Sequence, residues 1–329
     1  MAPKLSRLLL AFLTFFCIQS FTGLARILKS EHQQYSFSSL QKLEGARKGQ
    51  TVEGLVELKQ YLKRFGYYPS DVNLRTSEFD DLLESALKTY QNYFHLNVTG
   101  ILDDSTIKQM MIPRCGMPDI TPNNTKSKHT KFHMSKHTKF HMVMHYKFFD
   151  GMPKWPPSKY NLTYTFGSDG VQVVDMDTLR SACSDAFKKW SDVSQLTFQE
   201  ASDGASANIV ITFYSGDHGD GSPFDGPGKT LAHAFSTEDG RLHFDAEEKW
   251  SANPAMDQFD LESVAVHEIG HLLGLDHSSD SNAVMYSGIP PGTKKRDLAQ
   301  DDIDGINALY GCRTCAAARR SSTLKEKLK

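Results

Sequence analysis

The segment Val266-His267-Glu268-Ile269-Gly270-His271-Leu272-Leu273-Gly274-Leu275-Asp276-His277 sets three histidines and a glutamate around a pair of glycines. On a helix, His267 and His271 leave the same face one turn apart, the spacing two ligands of a single zinc ion require. Glu268 then stands beside the metal, suited to act as general base. Gly274 can adopt a backbone conformation closed to residues with a Cβ, so the helix can stop and the chain can turn to bring in His277. Three protein ligands and one open position are the layout of a catalytic zinc site rather than a structural one.

Outward from this segment, composition sets the frame. The 329 residues, 39% hydrophobic and 23% charged, provide for about two domains. A formal net charge of -2 carries no polyanion-binding signature, so no nucleic acid partner is expected. At the start, Lys4 and Arg7 precede an apolar run from Leu8 to Ile18, with Gly23 and Ala25 before Arg26. This pattern predicts a secretory signal peptide over 1–25; the alternative, a membrane anchor, needs a longer apolar span. Three sequons, at Asn97, Asn123 and Asn161, are then glycosylation candidates.

Between Thr51 and Met111 apolar residues recur at three and four: Leu55, Leu58 and Leu62, then Phe79, Leu82, Leu83, Leu87, Tyr90 and Phe94, then Ile107, Met110 and Met111. Three amphipathic helices in a small bundle are predicted, with Asp103 or Asp104 capping the last. By pattern alone such a bundle could be any binding module. Pro113-Arg114-Cys115-Gly116-Met117-Pro118-Asp119 follows, a turn-rich segment with one cysteine and no neighbour to pair with. In a chain carrying an open zinc site, a Cys115 thiolate in the fourth coordination position would keep an enzyme latent.

This heptad resembles the cysteine switch of the matrix metalloproteinases, the matrixins, and residues 267–277 resemble their zinc-binding motif. The resemblance covers residues 51–311. It implies a zinc- and calcium-dependent endopeptidase made as a latent zymogen, with polypeptide substrates and its own propeptide as intramolecular inhibitor. It also implies that Arg114 and Asp119 pair to hold the switch, with Met117 where the family usually has valine. The layout is similar to the plant-type members: helical propeptide over 26–145, catalytic domain over 146–311, polar basic tail over 312–329, and no propeller domain. A secreted monomer of the extracellular space or matrix, the apoplast in a plant, is expected. The tail lacks the apolar stretch of a lipid-anchor signal, so no stable membrane anchor is expected.

For the catalytic domain the expected class is α+β, a metzincin-like twisted sheet packed on helices. Phe148 to Trp155 resembles the family's opening segment. Leu162 to Phe166, Leu196 to Phe198 and Ile209 to Phe213 read as strands, and Asp177 is expected to cap a helix burying Leu179, Ala182, Cys183, Ala186, Phe187 and Trp190. The resemblance assigns His218, Asp220, His233 and His243 to a second, structural zinc, a set that closes a tetrahedral shell with no vacancy. Asp225, Asp245, Glu248 and the carbonyls of Gly226 and Gly228 supply oxygen ligands for at least one calcium. Glu238-Asp239-Gly240-Arg241 places a cation where several relatives have glycines and an aspartate, which argues against a second calcium in that loop.

Ala283-Val284-Met285-Tyr286 matches the family's methionine turn, with Met285 as a floor beneath the histidines and not a ligand. An extended substrate is expected to lie antiparallel to Leu231 to Ala234, with Leu231 and Ala232 contacting it. The resemblance implies that Ser263, four residues before the first ligating histidine, helps set the depth of the pocket after the cut bond. The tandem octapeptide from Ser127 to Met142 reads better as a duplicated linker than as a metal-binding or pH-sensitive hinge. Cys312 and Cys315 are close enough for a local disulfide, with Cys183 as an alternative partner. A non-catalytic binder of a cell-wall or matrix polymer is disfavoured by the intact Glu268 and three histidines, and another zinc-peptidase family by Cys115 and Ser278.

Overall fold

A computed structural model describes residues 40–69, 71–72, 74, 76–121, 144–167, 173–202 and 206–312. The expected signal peptide, Asn123, the tandem octapeptide and the tail beyond Cys312 lie outside the described residues.

The N-terminal region is built on α1 (Leu55–Arg64), α2 (Asp81–Tyr93) and α3 (Asp104–Met110). Asp80 and Asp103 cap α2 and α3, their carboxylates accepting from the amides of Leu83 and Thr106. Leu55, Leu58 and Leu62 of α1 are buried against Leu83, Leu87 and Tyr90 of α2 and against Ile107 and Met110 of α3. Leu82, expected on the apolar face, is instead exposed. With Asp80 as the cap, the inward stripe runs through Leu83, Leu87 and Tyr90, and Leu82 falls about 100° around the helix from it.

The second region is α+β. A six-stranded sheet has the order β1 (Arg114–Cys115), β6 (Thr230–Ala234), β7 (Arg241–Asp245), β5 (Ile209–Tyr214), β3 (Asn161–Phe166), β4 (Thr197–Glu200). Neighbours are parallel except β6 and β7, which pair antiparallel. Short pairs join β2 (Lys147–Phe148) to β10 (Leu275–Asp276) and β8 (Trp250–Ser251) to β9 (Phe259–Asp260). Helix α4 (Met176–Val193) packs with α5 (Leu261–Leu272), and α6 (Gln300–Tyr310) closes the domain. The cap of α4 is Asp175, not Asp177; its side chain accepts from Thr178 N at 2.9 Å. Asp177 falls inside the first turn, where a carboxylate favours the helix dipole but reaches no free amide ahead of it.

The Leu196 to Phe198 strand lies slightly later, at Thr197–Glu200, while Leu196 is buried in the core. Cys183 is a buried free thiol and Cys312 is disulfide-bonded, so these two do not pair with each other. Among the described residues, no helix is long and apolar enough to cross a membrane.

Candidate metal centre

Helix α5 begins where Asp260 accepts from Ser263 N at 3.0 Å. Its length brings His267 and His271 onto one face, and Gly274, at φ 100°, turns the chain back toward that face. A Cβ at Gly274 would lie 2.1 Å from Pro153 O, so glycine is required by space as well as by conformation. The turn delivers His277, and Cys115, His267, His271 and His277 have ligand atoms that all lie within 4.8 Å of one another.

The protonation pattern fits a metal. Val284 O and Leu275 O lie 2.7 and 2.8 Å from the Nδ1 atoms of His267 and His271, so each Nδ1 carries the proton and each Nε2 presents a lone pair. Those two Nε2 atoms face each other at 3.1 Å, and Cys115 Sγ is 3.5 Å from His271 Nε2. Opposed lone pairs repel unless a cation stands between them, and tetrahedral zinc with nitrogen and sulfur ligands separates its donors by about 3.4–3.6 Å. His277 Nε2 is buried without a hydrogen-bond partner, and its Nδ1 lies 2.8 Å from Asp119 Oδ1. Glu268 is fully buried with its carboxylate beside the Cys115 thiol, and burial pushes its pKa up to about 8.

The switch segment enters as β1, pairing parallel with β6 through Arg114 opposite Thr230 and Cys115 opposite Ala232. On its other side, Cys115 N donates to Ser287 O and Ile289 N donates to Pro113 O, both at 2.9 Å. Arg114 and Asp119 pair at 2.7 Å with both side chains buried, as the resemblance implies. Burial alone would raise the Asp119 carboxyl, but Arg114 and His277 hold it below the ordinary carboxylate range. Arg114 also lies over the Phe65 ring at 3.6 Å, and Tyr67 donates its hydroxyl to Asp119 at 2.8 Å. Burial and the Glu268 carboxylate push the Cys115 thiol up, and the Met117 amide, which donates to Sγ at 3.4 Å, opposes them.

A second cluster joins His218, Asp220, His233 and His243. Asp220 Oδ2 lies 2.7, 2.8 and 2.9 Å from the ring nitrogens of His218, His233 and His243. Three imidazoles converging on one oxygen, with His233 Nε2 and His243 Nδ1 3.2 Å apart, fit the donor set that a closed zinc shell requires. Nearby, Asp245 is wholly buried with Oδ2 unpartnered, and Glu248 accepts from Gly228 N at 2.5 Å. Burial pushes Asp245 up to about 8 and Glu248 up to about 7, with Asp225 adding to both. Gly226 and Gly228, at φ 80° and 83°, fold the loop around these acids, so the oxygen-rich set fits a calcium ion. Arg241 forms a two-pronged pair with Asp239 at 2.6 and 2.8 Å, which satisfies that carboxylate without a second cation.

The matrixin family model matches residues 154–311, and the "Putative peptidoglycan binding domain" model matches residues 51–110. Metalloendoproteinase 1 of Glycine max is 49% identical over 269 residues, covering 80% of this chain and 84% of the relative. The chain belongs to the matrixin family. Two further matrixin relatives, Metalloendoproteinase 2-MMP and 5-MMP of Arabidopsis thaliana, are each 44% identical. The first match covers 81% of this chain and 73% of the relative, the second 84% and 77%. The chain is thus a metalloendopeptidase of a zinc-dependent family, with a metzincin catalytic domain behind a helical propeptide region.

In this matrixin, Leu231, Ser263, Val264, Val284, Tyr286 and Lys295 line a pocket beside Glu268. Ser263 Oγ donates to Asp260 at 2.6 Å and accepts from Lys295 N at 2.7 Å. The far wall is formed by Tyr286 to Ile289. Sequence reasoning missed Asp302, whose two oxygens accept the amides of Val284 and Met285 at 2.8 and 3.0 Å and so pin the methionine turn to α6. Its only signal was an acidic residue in the first turn of the last helix. Arg64, which ties the propeptide to Asp225 and Pro223, and Tyr67, which holds Asp119 of the switch, carried no signal in sequence.

Proposed function

We propose that the chain is a secreted, latent zinc endopeptidase in which His267, His271 and His277 hold the catalytic zinc and Cys115 fills its fourth position until activation. The observation that carries this reading is the convergence of Cys115 Sγ with the three imidazoles in a buried site. Bound zinc supplies Lewis acidity, polarising a scissile carbonyl and lowering the pKa of a water from 15.7 toward about 7. Glu268 takes the proton of the attacking water and passes it to the leaving amine, so no covalent intermediate is needed. The edge of β6, residues 231–234, binds an extended polypeptide, and the Ser263 pocket receives the side chain after the cut bond.

His218, Asp220, His233 and His243 hold a structural zinc, and Asp225, Asp245, Glu248 and the Gly226 and Gly228 carbonyls hold calcium. Substrates are extracellular or cell-wall proteins, the apoplast being the compartment if the source is a plant. Asn97 and Asn161 are exposed, as glycan acceptors must be. The test is to express the full chain and its Cys115→Ser variant, both zinc-loaded, and digest a peptide library with and without a zinc chelator. Spontaneous, chelator-sensitive cleavage by the variant and silence of the parent are expected; a variant as silent as its parent with zinc bound overturns the latency.

A further inference from the structure

Arg64, the last residue of α1, reaches out of the propeptide to the loop that leads into β6. Its Nη1 lies 3.3 Å from Asp225 Oδ2, and Nη2 donates to Pro223 O at 3.2 Å. Asp225 Oδ1 is engaged within the loop, accepting from Thr230 N at 3.0 Å. The other oxygen, Oδ2, is the one that Arg64 holds. A second tie runs through the switch itself, where Arg114 N donates to Lys229 O at 2.7 Å and Arg114 pairs with Thr230. The propeptide thus grips both ends of the loop between Asp225 and Thr230.

The same loop borders the acids proposed above to hold calcium. Asp245 is buried with an unpartnered oxygen, and Glu248 is tied to Gly228 of the loop. A divalent ion there needs the Asp225 carboxylate, and a guanidinium on that carboxylate is a competing cation. We propose that propeptide docking and calcium binding oppose one another through Asp225, so that calcium loosens the latent form at Arg64 while it fastens the loop of the released enzyme. This rests on the calcium assignment made under the proposed function. The coupling is reciprocal, each partner weakening the other by the same factor. Arg64 and Asp225 keep 30% and 25% side-chain exposure, so a factor of about five or less is expected for a partly solvated pair.

The experiment uses the full zinc-loaded chain carrying Glu268→Gln, which removes self-cleavage. Calcium is titrated calorimetrically into this protein and into the same protein with Arg64→Ala or Arg64→Gln. In parallel, the alkylation rate of Cys115 is followed with and without calcium. The expected result is calcium affinity raised about two- to fivefold by either Arg64 variant, together with calcium-accelerated alkylation that the variants blunt. Unchanged or weaker calcium affinity in both Arg64 variants, or alkylation slowed by calcium, overturns the coupling. A control separates the two readings: if Asp245→Asn binds calcium as tightly as its parent, the ion lies elsewhere, and the calcium assignment falls together with the coupling.

Discussion

Gly270 lies against Met285, so closely that a Cβ on the glycine would come within 2.2 Å of Met285 Sδ and 3.0 Å of the Trp190 ring. The glycine of the zinc helix is thus dictated by packing: the methionine turn can pass beneath the histidines only if one helix position is bare. Gly270→Ala should overpack this contact, costing about 1–3 kcal/mol and shifting the neighbouring His271. Thermal unfolding and zinc content of the purified chain check it; an unchanged midpoint with full zinc would show that Met285 yields freely.

Glu268→Gln should abolish peptidase activity while leaving zinc content intact, because the carboxylate is buried near the ligand cluster without joining it. Hydrolysis of a peptide substrate after removal of the propeptide is the measurement. Residual activity within about tenfold of wild type would remove Glu268 from the role of base.

The Arg114 and Asp119 pair is buried on both sides, and breaking one partner of such a pair costs about 3–5 kcal/mol. Arg114→Ala should therefore release the switch, seen as faster alkylation of Cys115 and earlier loss of the propeptide on storage. An alkylation rate equal to that of the parent would show that β-pairing alone holds the segment.

Two zinc ions per chain are expected, and His233→Ala should lower the count to one while Cys115, His267, His271 and His277 keep theirs. Metal analysis by mass spectrometry gives the count directly. Loss of both ions at once, in protein that remains folded, would mean that the two clusters are not independent.

Ser263 is small, buried and part of the pocket lining, and a leucine, methionine or aromatic ring seated there once the propeptide has left would contribute about 1.5–3 kcal/mol on burial. Ser263→Arg should restrict cleavage to short side chains after the cut bond. Sequencing the products of a random peptide pool tests this, and an unaltered preference would place the specificity pocket elsewhere.

The features legible in sequence were those fixed by short spacing. Two histidines four apart, a glycine that ends their helix, and an aspartate at the start of α3 all act within one turn of chain. The cap of α4 was misplaced by two residues because Asp175 and Asp177 offer the same chemistry, and only the backbone path shows which one meets a free amide. Leu82 was misread because one apolar residue beside a stripe is indistinguishable from the stripe until the helix has a neighbour. The contact of Arg64 with Asp225 joins residues 161 apart and leaves no periodic mark.

One consequence follows from β1 lying beside β6 at the end of the six-stranded sheet. While the propeptide is in place, its strand covers the outer row of amides and carbonyls on β6; once it departs, that row is bare. Bare edges accept any extended chain, including the same edge of another copy. On the activation proposed above, the chain freed of its propeptide is expected to self-associate more readily than the full chain when substrate is scarce.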